Sequence, residues 1–398
     1  MRIFIQSLFL FLIASASTLS QAGEWSGSAG LEFRGFNQTA KDTQQDHNTN
    51  FSFVFESEYF HEWDDGDQSI AFVPYFRVDE HDDERTHFDI RELTYLKVAE
   101  DWELRIGIRK VFWGVTEFQH LVDIINQTDL VENLNTEDKF GQPMVNLALI
   151  NDWGTVDLFV MPYFRERNFP GTSGRLRSLP ETREDRSQFE SAAKEKHIDL
   201  AVRYSHYIGD WDIGLAHFYG TSRDPRLLLS TDSGGNPFFI PFYDIINQTS
   251  VDIQTTKNNM LWKFEALHRI GQGMTYNALA GGFEYTFTGI IETAIDLGVL
   301  SEYHYDDRDD LSTNMLEDDI AIGARLVFND VQSSEVLIGL VWDRDSGGKF
   351  FNIEASRRLG NSWLLELQGQ FFFNQKSNDL AFTISRDDHI ELFLTYNF

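Results

Sequence analysis

The chain ends Ile390-Glu391-Leu392-Phe393-Leu394-Thr395-Tyr396-Asn397-Phe398. Ile390, Leu392, Leu394, Tyr396 and Phe398 fall at every second position, with Glu391, Thr395 and Asn397 between them. Side chains of an extended strand point alternately to its two faces, so this spacing makes one apolar face and one wet face. A charge such as Glu391 on the second face is costly in a dry core and natural in a water-filled lumen.

The same period recurs upstream. Trp363, Leu365, Leu367, Gly369, Phe371 and Phe373 interleave with Glu366, Gln368 and Gln370. Val336, Ile338, Leu340 and Trp342 form another stripe, and Ile320, Ile322, Ala324, Leu326 and Phe328 alternate with Asp319, Gly323 and Arg325. In the N-terminal half, Phe51, Phe53, Phe55 and Tyr59 alternate with Ser52, Glu56 and Glu58, and Trp102, Leu104, Ile106 and Ile108 with Glu103, Arg105, Gly107 and Arg109. Val156, Leu158, Val160, Pro162 and Phe164, then Ile198, Leu200, Val202 and Tyr204, then Trp211, Ile213 and Leu215 continue it. Aromatic residues sit at stripe ends (Trp102, Trp211, Tyr303, Trp342, Trp363, Tyr396), as interfacial girdles require. Tight turns are predicted at Ala99-Glu100-Asp101, Asn151-Asp152, Ile208-Gly209-Asp210 and Leu359-Gly360-Asn361, facing the periplasm. Longer polar links over 38–49, 113–142, 165–196, 221–248 and 306–316 face outward or fold inward. The pattern predicts an all-β, transmembrane antiparallel β-barrel of about 18 strands, with 16 as the alternative. A soluble sandwich or propeller would also alternate, but would not explain the rhythm of short and long links.

The N-terminus points to export. Met1-Arg2 supplies a positive start, Ile3 to Ile13 an apolar run, and Ser20-Gln21-Ala22 before Gly23 a cleavage site. The expected organisation is a signal peptide over 1–22 and a single barrel domain over 23–398. No apolar stretch beyond the signal reaches the roughly 20 residues a membrane-spanning helix needs. The 398 residues contain no cysteine, so a large exported chain must find stability other than in disulfides. A net charge of −30 excludes nucleic acid as a partner. With 35 Phe, 13 Tyr and 9 Trp in a chain with 24% charged residues, strands with one apolar and one wet face account for the composition.

The strand Ile390 to Phe398, ending on an aromatic side chain, resembles the terminal strand of bacterial outer-membrane proteins. That resemblance implies recognition of Phe398 by the barrel-assembly machinery. The architecture over most of the chain resembles porins. The stretch Arg105-Ile106-Gly107-Ile108-Arg109-Lys110-Val111-Phe112-Trp113-Gly114, with Asp123-Ile124-Ile125-Asn126-Gln127-Thr128-Asp129 after it, is similar to a porin-like family of uncharacterised barrels. The local match covers about a tenth of the chain and assigns no substrate.

If odd-numbered positions face the lumen on the early strands, Arg77, Arg91, Arg105 and Arg109 meet inside, with Arg203 from a later strand. Glu302, Glu366 and Glu391 come from strands across the lumen, and a basic wall opposite an acidic wall would set a transverse field over a constriction. Alternatively these arginines pair with neighbouring Asp79, Asp89 and Glu103. Asp123-Ile124-Ile125-Asn126-Gln127-Thr128 recurs as Asp244-Ile245-Ile246-Asn247-Gln248-Thr249, so both links are candidates to fold inward through Asp123, Asn126, Asp129, Asp244 and Asn247, or share only local turn chemistry. The basic link carrying Arg165, Arg167 and Arg175 either hangs into the lumen or meets lipopolysaccharide phosphates. Acidic runs such as Asp82-Asp83-Glu84 and Glu317-Asp318-Asp319 lack Ca²⁺-loop spacing and read as a solvated rim.

No hydrolase elbow, H-E-x-x-H or Walker loop is present, so neither catalysis, a cofactor nor a metal is expected. The expectation is a porin-like channel in the outer membrane of a Gram-negative bacterium, passing small polar or charged solutes by diffusion. Its partners would be outer-membrane lipid and lipopolysaccharide, the assembly machinery and the solutes, with a homotrimer open as the assembled state. The alternatives are a transporter of a hydrophobic or lipid-like compound and a barrel-embedded hydrolase.

Overall fold

Lipid offers no partner to an unpaired backbone group, so a sheet that crosses it must close on itself. In the computed structural model, which describes residues 23–398 other than 314, 378 and 379, eighteen antiparallel strands do so. In chain order the strands are β1 (Glu24–Phe36), β2 (Thr49–Trp63), β3 (Gln68–Asp79), β4 (Phe88–Val98), β5 (Trp102–Arg109), β6 (Gln142–Asn151), β7 (Gly154–Met161), β8 (Gln188–Phe189), β9 (Asp199–Ile208) and β10 (Trp211–Thr221). There follow β11 (Arg226–Thr231), β12 (Pro237–Tyr243), β13 (Ile245–Lys257), β14 (Met260–Gly271), β15 (Met274–Phe287), β16 (Asp296–Asp306) and β17 (Asp318–Val327). The last are β18 (Glu335–Asp343), β19 (Lys349–Leu359), β20 (Trp363–Phe373) and β21 (His389–Asn397). All but β8, β11 and β12 belong to the barrel, each pairing with the next barrel strand along the chain. The expected signal peptide, residues 1–22, lies outside the described residues.

The ring closes between β1 and β21, from Ser28 opposite Asn397 to Phe36 opposite His389. Beyond that ladder the Gly27 N–H donates to the Phe398 carbonyl at 3.1 Å, and the Phe398 N–H to the Gly27 carbonyl at 3.0 Å. The terminal residue is therefore part of the seam.

Burial follows the two-residue period. Leu31 on β1 is 63% exposed and its neighbour Glu32 only 3%. On β9, Leu200 and Val202 are exposed while Asp199 and Ala201 are buried. A polar residue buried beside an exposed apolar one inverts the soluble pattern, as a sheet facing hydrocarbon outside and protein or water inside requires. At the short-turn end, Trp25 packs on Tyr59 and Trp363 on Tyr396, both with ring centroids 5.0 Å apart. The four predicted tight turns all join consecutive barrel strands.

Three readings need correction. Parity does not hold along β4, because the ladder shifts opposite Val73/Pro74 and leaves Arg91 as the extra residue. Proline cannot donate to the ladder, and the extra residue of such a bulge moves later side chains to the other face. Arg91 and Thr94 are consequently both buried. The stripe ending at Phe164 stops earlier, since β7 ends at Met161 and Phe164 is buried in the following link. The link predicted over 221–248 contains the β11–β12 hairpin, whose β12 also pairs in parallel with β8, and it ends in β13.

The outer face yields a direct check. Replacing Leu31 by Arg should cost about 2–4 kcal/mol of folding free energy in lipid vesicles, and Trp25→Arg at the girdle about 1 kcal/mol or less. Urea unfolding of both variants in phosphatidylcholine vesicles measures the difference; equal costs would remove the lipid-facing assignment of β1.

Candidate functional site

The link over 110–141, between β5 and β6, leaves the wall and crosses the lumen. Its apolar residues explain the first contact. Val122, Ile124 and Ile125 join Trp113 in a buried cluster with Met144, Phe159, Met161, Ala201, Ala216, Phe218 and Ile246 of the facing strands. Asn126 ties the two ends of the segment: it accepts from the Val111 N–H at 2.8 Å and donates to the carbonyls of Arg109 and Phe140 at 2.9 and 2.7 Å.

Farther across, the backbone has no strand to pair with, and wall carboxylates take over. Glu265 on β14 is fully buried and accepts from the N–H groups of Val115, Thr116 and Val122 at 2.6, 3.0 and 3.2 Å, and from the Thr116 hydroxyl at 2.7 Å. Glu302 on β16 accepts from the N–H groups of Glu117 and Phe118 at 2.7 and 3.1 Å. Glu302 is therefore an anchor of the segment and not a free charge of an acidic wall. Glu265 was no sequence candidate. Its alternation with Phe264 and Ala266 marks it as inward, but nothing local announces partners 143–150 residues away.

At the opposite side the segment brings acids to arginines. Arg77 bonds Glu32 and Glu132, each at 2.6 Å, and Arg91 bonds Asp129 at 2.7 Å. Arg34 contacts Glu391 at 2.6 Å, and Arg85 contacts Glu32 at 2.8 Å and Asp79 at 2.7 Å. All these side chains are at most 10% exposed. Removing one member of a buried pair typically costs about 3–5 kcal/mol, because the other charge is stranded. The expected field between separated walls is replaced here by local neutralisation, with Glu391 itself held by Arg34. His87 Nε2 lies 3.4 Å from Asp129 and 3.5 Å from Glu132, a set of potential metal ligands, but Arg91 and Arg77 already hold both carboxylates.

The remaining sequence candidates are dispersed. Arg105 pairs with Glu103, and Arg109 donates to Asn146 at 2.8 Å. Arg203 on β9 reaches Asp252 on β13 at 2.7 Å, across Gly214 of β10. A Cβ at Gly214 would stand 2.2 Å from the Arg203 guanidinium, so a larger residue there would displace the pair from this position. Glu366 sits half-buried on β20. Arg165 holds Asp89 at 2.8 Å, Arg167 holds Asp224 at 3.0 Å and buried Arg175 holds Asp387 at 2.6 Å, so the basic link binds its own acids. Asp244 pairs with Arg226 at 2.7 Å. Asn247 is not on an inward loop: it lies in β13 with its side chain exposed. The repeated hexapeptide therefore forms a lumen-crossing link once and a strand the second time.

Between the inserted segment and the wall from β17 to β20 lies a cavity of about 330 Å³. Nine carboxylate side chains line it (Glu117, Asp123, Glu137, Asp224, Asp309, Glu317, Asp319, Asp343 and Glu354) against five Lys and Arg. Lys139 is held by Asp123 at 3.3 Å, Arg167 by Asp224, and Arg223 by Asp199, while Glu117 is bridged by Lys263 and Arg325. The balance of the lining is acidic. Glu137 and Asp138 are open to lumenal water, yet the surrounding wall withholds bulk solvent. That enclosure, with Glu354 and Asp138 nearby, pushes Glu137 up to about 7. Enclosure and Glu132 push Asp138 up to about 6. Burial lowers His120, which therefore adds no charge at neutral pH.

The segment's anchorage is testable. Glu265→Ala strands three N–H donors, at about 1–3 kcal/mol each. Hydrogen exchange of the 113–122 amides should accelerate by about tenfold or more, while 126–129 stay protected by Asn126 and Asp129. Unchanged exchange would mean that the carboxylate does not hold the segment.

No family model matches the chain, and no curated protein matches it. Solved structures do. Wzi of Escherichia coli, described as an outer-membrane protein involved in group 1 capsule assembly and a carbohydrate-binding β-barrel, superposes with a TM-score of 0.56 over 99% of this chain and 88% of its own, at 9% identity. OccK11 (OpdR) of Pseudomonas aeruginosa gives a TM-score of 0.50 over 94% of this chain and 95% of its own, also at 9% identity. At such identity the likeness is one of fold: the chain is built as an outer-membrane β-barrel resembling the porins of Gram-negative bacteria.

Proposed function

We propose that the barrel is a passive channel for small polar and charged solutes, that the route passes the acid-lined cavity beside the inserted segment, and that it favours cations. The observation that carries this reading is the cavity itself: a segment fixed by Glu265 and Glu302 crosses the lumen and leaves an acid-lined cavity beside it. The size suits a solute of small-molecule dimensions, near the lower end of about 300–1,000 Å³ for ligand pockets. An apolar cargo would have to desolvate unpaired carboxylates, which disfavours the lipid-transporter alternative. Phe398, placed in the closing seam, supports a role as the residue presented to the assembly machinery.

Magnitudes favour a modest selectivity. One carboxylate about 8 Å from a monovalent ion in water-like surroundings contributes about 0.5 kcal/mol. A surplus of several, reduced by salt, comes to about 1–2 kcal/mol, or about tenfold for cations. Because the Glu137 and Asp138 carboxyls titrate at about 7 and about 6, their charge is present above those values and lost as pH falls through them. In planar bilayers the K⁺/Cl⁻ permeability ratio should stand several-fold above unity at pH 8 and decline by pH 5. Glu137→Gln should flatten the part of that decline between pH 8 and 6. An anion-preferring reversal potential at pH 8 would overturn the proposal.

A further inference from the structure

We infer that the cavity is a binding site for organic cations that carry an ammonium or guanidinium group on a small apolar body. The inference deepens the channel reading and rests on it for the solute's access to the cavity. Three features of the lining converge on this class.

The first is an apolar wall. Phe118 of the inserted segment lines the cavity together with Phe350 and Phe372, whose ring centroids lie 5.2 Å apart on adjacent strands. Such faces take up an apolar body and attract a cation held over them. The second is the charge beside them. Glu354 lies close enough to Glu137 to raise its pKa, and among the described residues no lining base forms a salt bridge with either. Lys139, Arg167 and Arg223 are occupied by Asp123, Asp224 and Asp199. Lys349 begins β19 on the opposite alternation to inward Asn352 and Glu354, with its side chain exposed, and Arg269 donates to Gln248 and Gln272. An anion entering here would meet few uncommitted donors.

The third is an unanswered acceptor. Gln370 lines the cavity, is only 6% exposed, and its Oε1 has no hydrogen-bond partner among the described residues. Its orientation is fixed by a relay: Gln370 Nε2 donates to Asn133 Oδ1 at 3.2 Å, and Asn133 Nδ2 donates to Gln368 Oε1 at 3.0 Å. Rotating the Gln370 amide would set two carbonyl oxygens against each other, so the Gln370 carbonyl oxygen is the group left over. A buried acceptor without a donor is a standing cost that a ligand N–H removes. Acceptors on one side and aromatic faces on the other select a donor-rich cation over an anion or a purely apolar solute.

Phenethylamine is a suitable probe, with 2-phenylethanol as its neutral counterpart and phenylacetate as the anion. Titration calorimetry on the full detergent-solubilised barrel at pH 8 should give saturable binding of the amine, about tenfold tighter than the alcohol, and none of phenylacetate. Glu354→Gln and Gln370→Leu should each weaken amine binding about fivefold, and Glu354→Asp should retain more of it than Glu354→Gln. Heat-modifiable gel migration verifies that each variant is a folded barrel; should Gln370→Leu fail it, the Glu354 pair carries the test. Equal affinity for amine and alcohol, or folded variants that bind the amine like the parent, would overturn the inference. Ion conductance of the same preparation in planar bilayers reports separately on the channel. Conductance without amine preference leaves the channel and removes the site, and amine binding without conductance does the reverse.

Discussion

A backbone that leaves a sheet and crosses a lumen must find acceptors for its N–H groups, and here two buried wall carboxylates supply them. Glu265 takes three N–H groups and a hydroxyl, and Glu302 takes two more N–H groups. Hydrogen bonds to charged groups are worth about 1.5–3 kcal/mol each, against a desolvation penalty of several kcal/mol for burying the carboxylate. The balance is favourable only when the donors converge on the acid. That convergence fixes where the segment lies, and with it the position of the cavity and of every side chain the segment presents.

The segment has a second effect, electrostatic rather than steric. Arg34, Arg77 and Arg85 already meet the wall acids Glu391, Glu32 and Asp79, and the segment adds Glu132 and Asp129 to this basic side. By delivering those two acids to Arg77 and Arg91, the segment neutralises the basic side of the barrel. The carboxylates on the other side, Glu137 and Glu354 among them, line the cavity. The composition of the chain, with 63 acidic against 33 basic side chains, leaves enough acids for both tasks.

The outward stripes are legible in the sequence because hydrocarbon imposes a two-residue period on every strand, and the period needs no partner to be read. Leu200 and Val202, or Leu392 and Tyr396, announce their face alone. The inward face has no comparable signal. Arg77 and Arg91 can be placed inside by parity, yet their partners Glu132 and Asp129 sit 55 and 38 residues away in a link without periodicity. Parity itself fails in β4, where one extra residue opposite Val73/Pro74 reverses the faces. The repeated Asp-Ile-Ile-Asn-Gln-Thr shows the same limit: Asn126 bonds two backbone carbonyls inside the barrel, whereas Asn247 faces outward from β13. Six identical residues do not determine a conformation when tertiary surroundings differ.

This division of constraint explains why the architecture and the chemistry separate. The outer face asks only for apolar character, which Leu, Ile, Val and Phe satisfy interchangeably, and the ladder asks only for extended backbone with few prolines. Neither requirement reaches the lumen. A strand can exchange an inward Glu for an inward Gln at no cost to closure, because the hydrogen bonds that hold the barrel run between backbones. Positions such as Glu265 are different, since their side chains bond a backbone that has left the sheet. The inward residues that position the inserted segment are accordingly those whose partners lie off the ladder, and they are found by asking which inward side chain an unpaired backbone depends on.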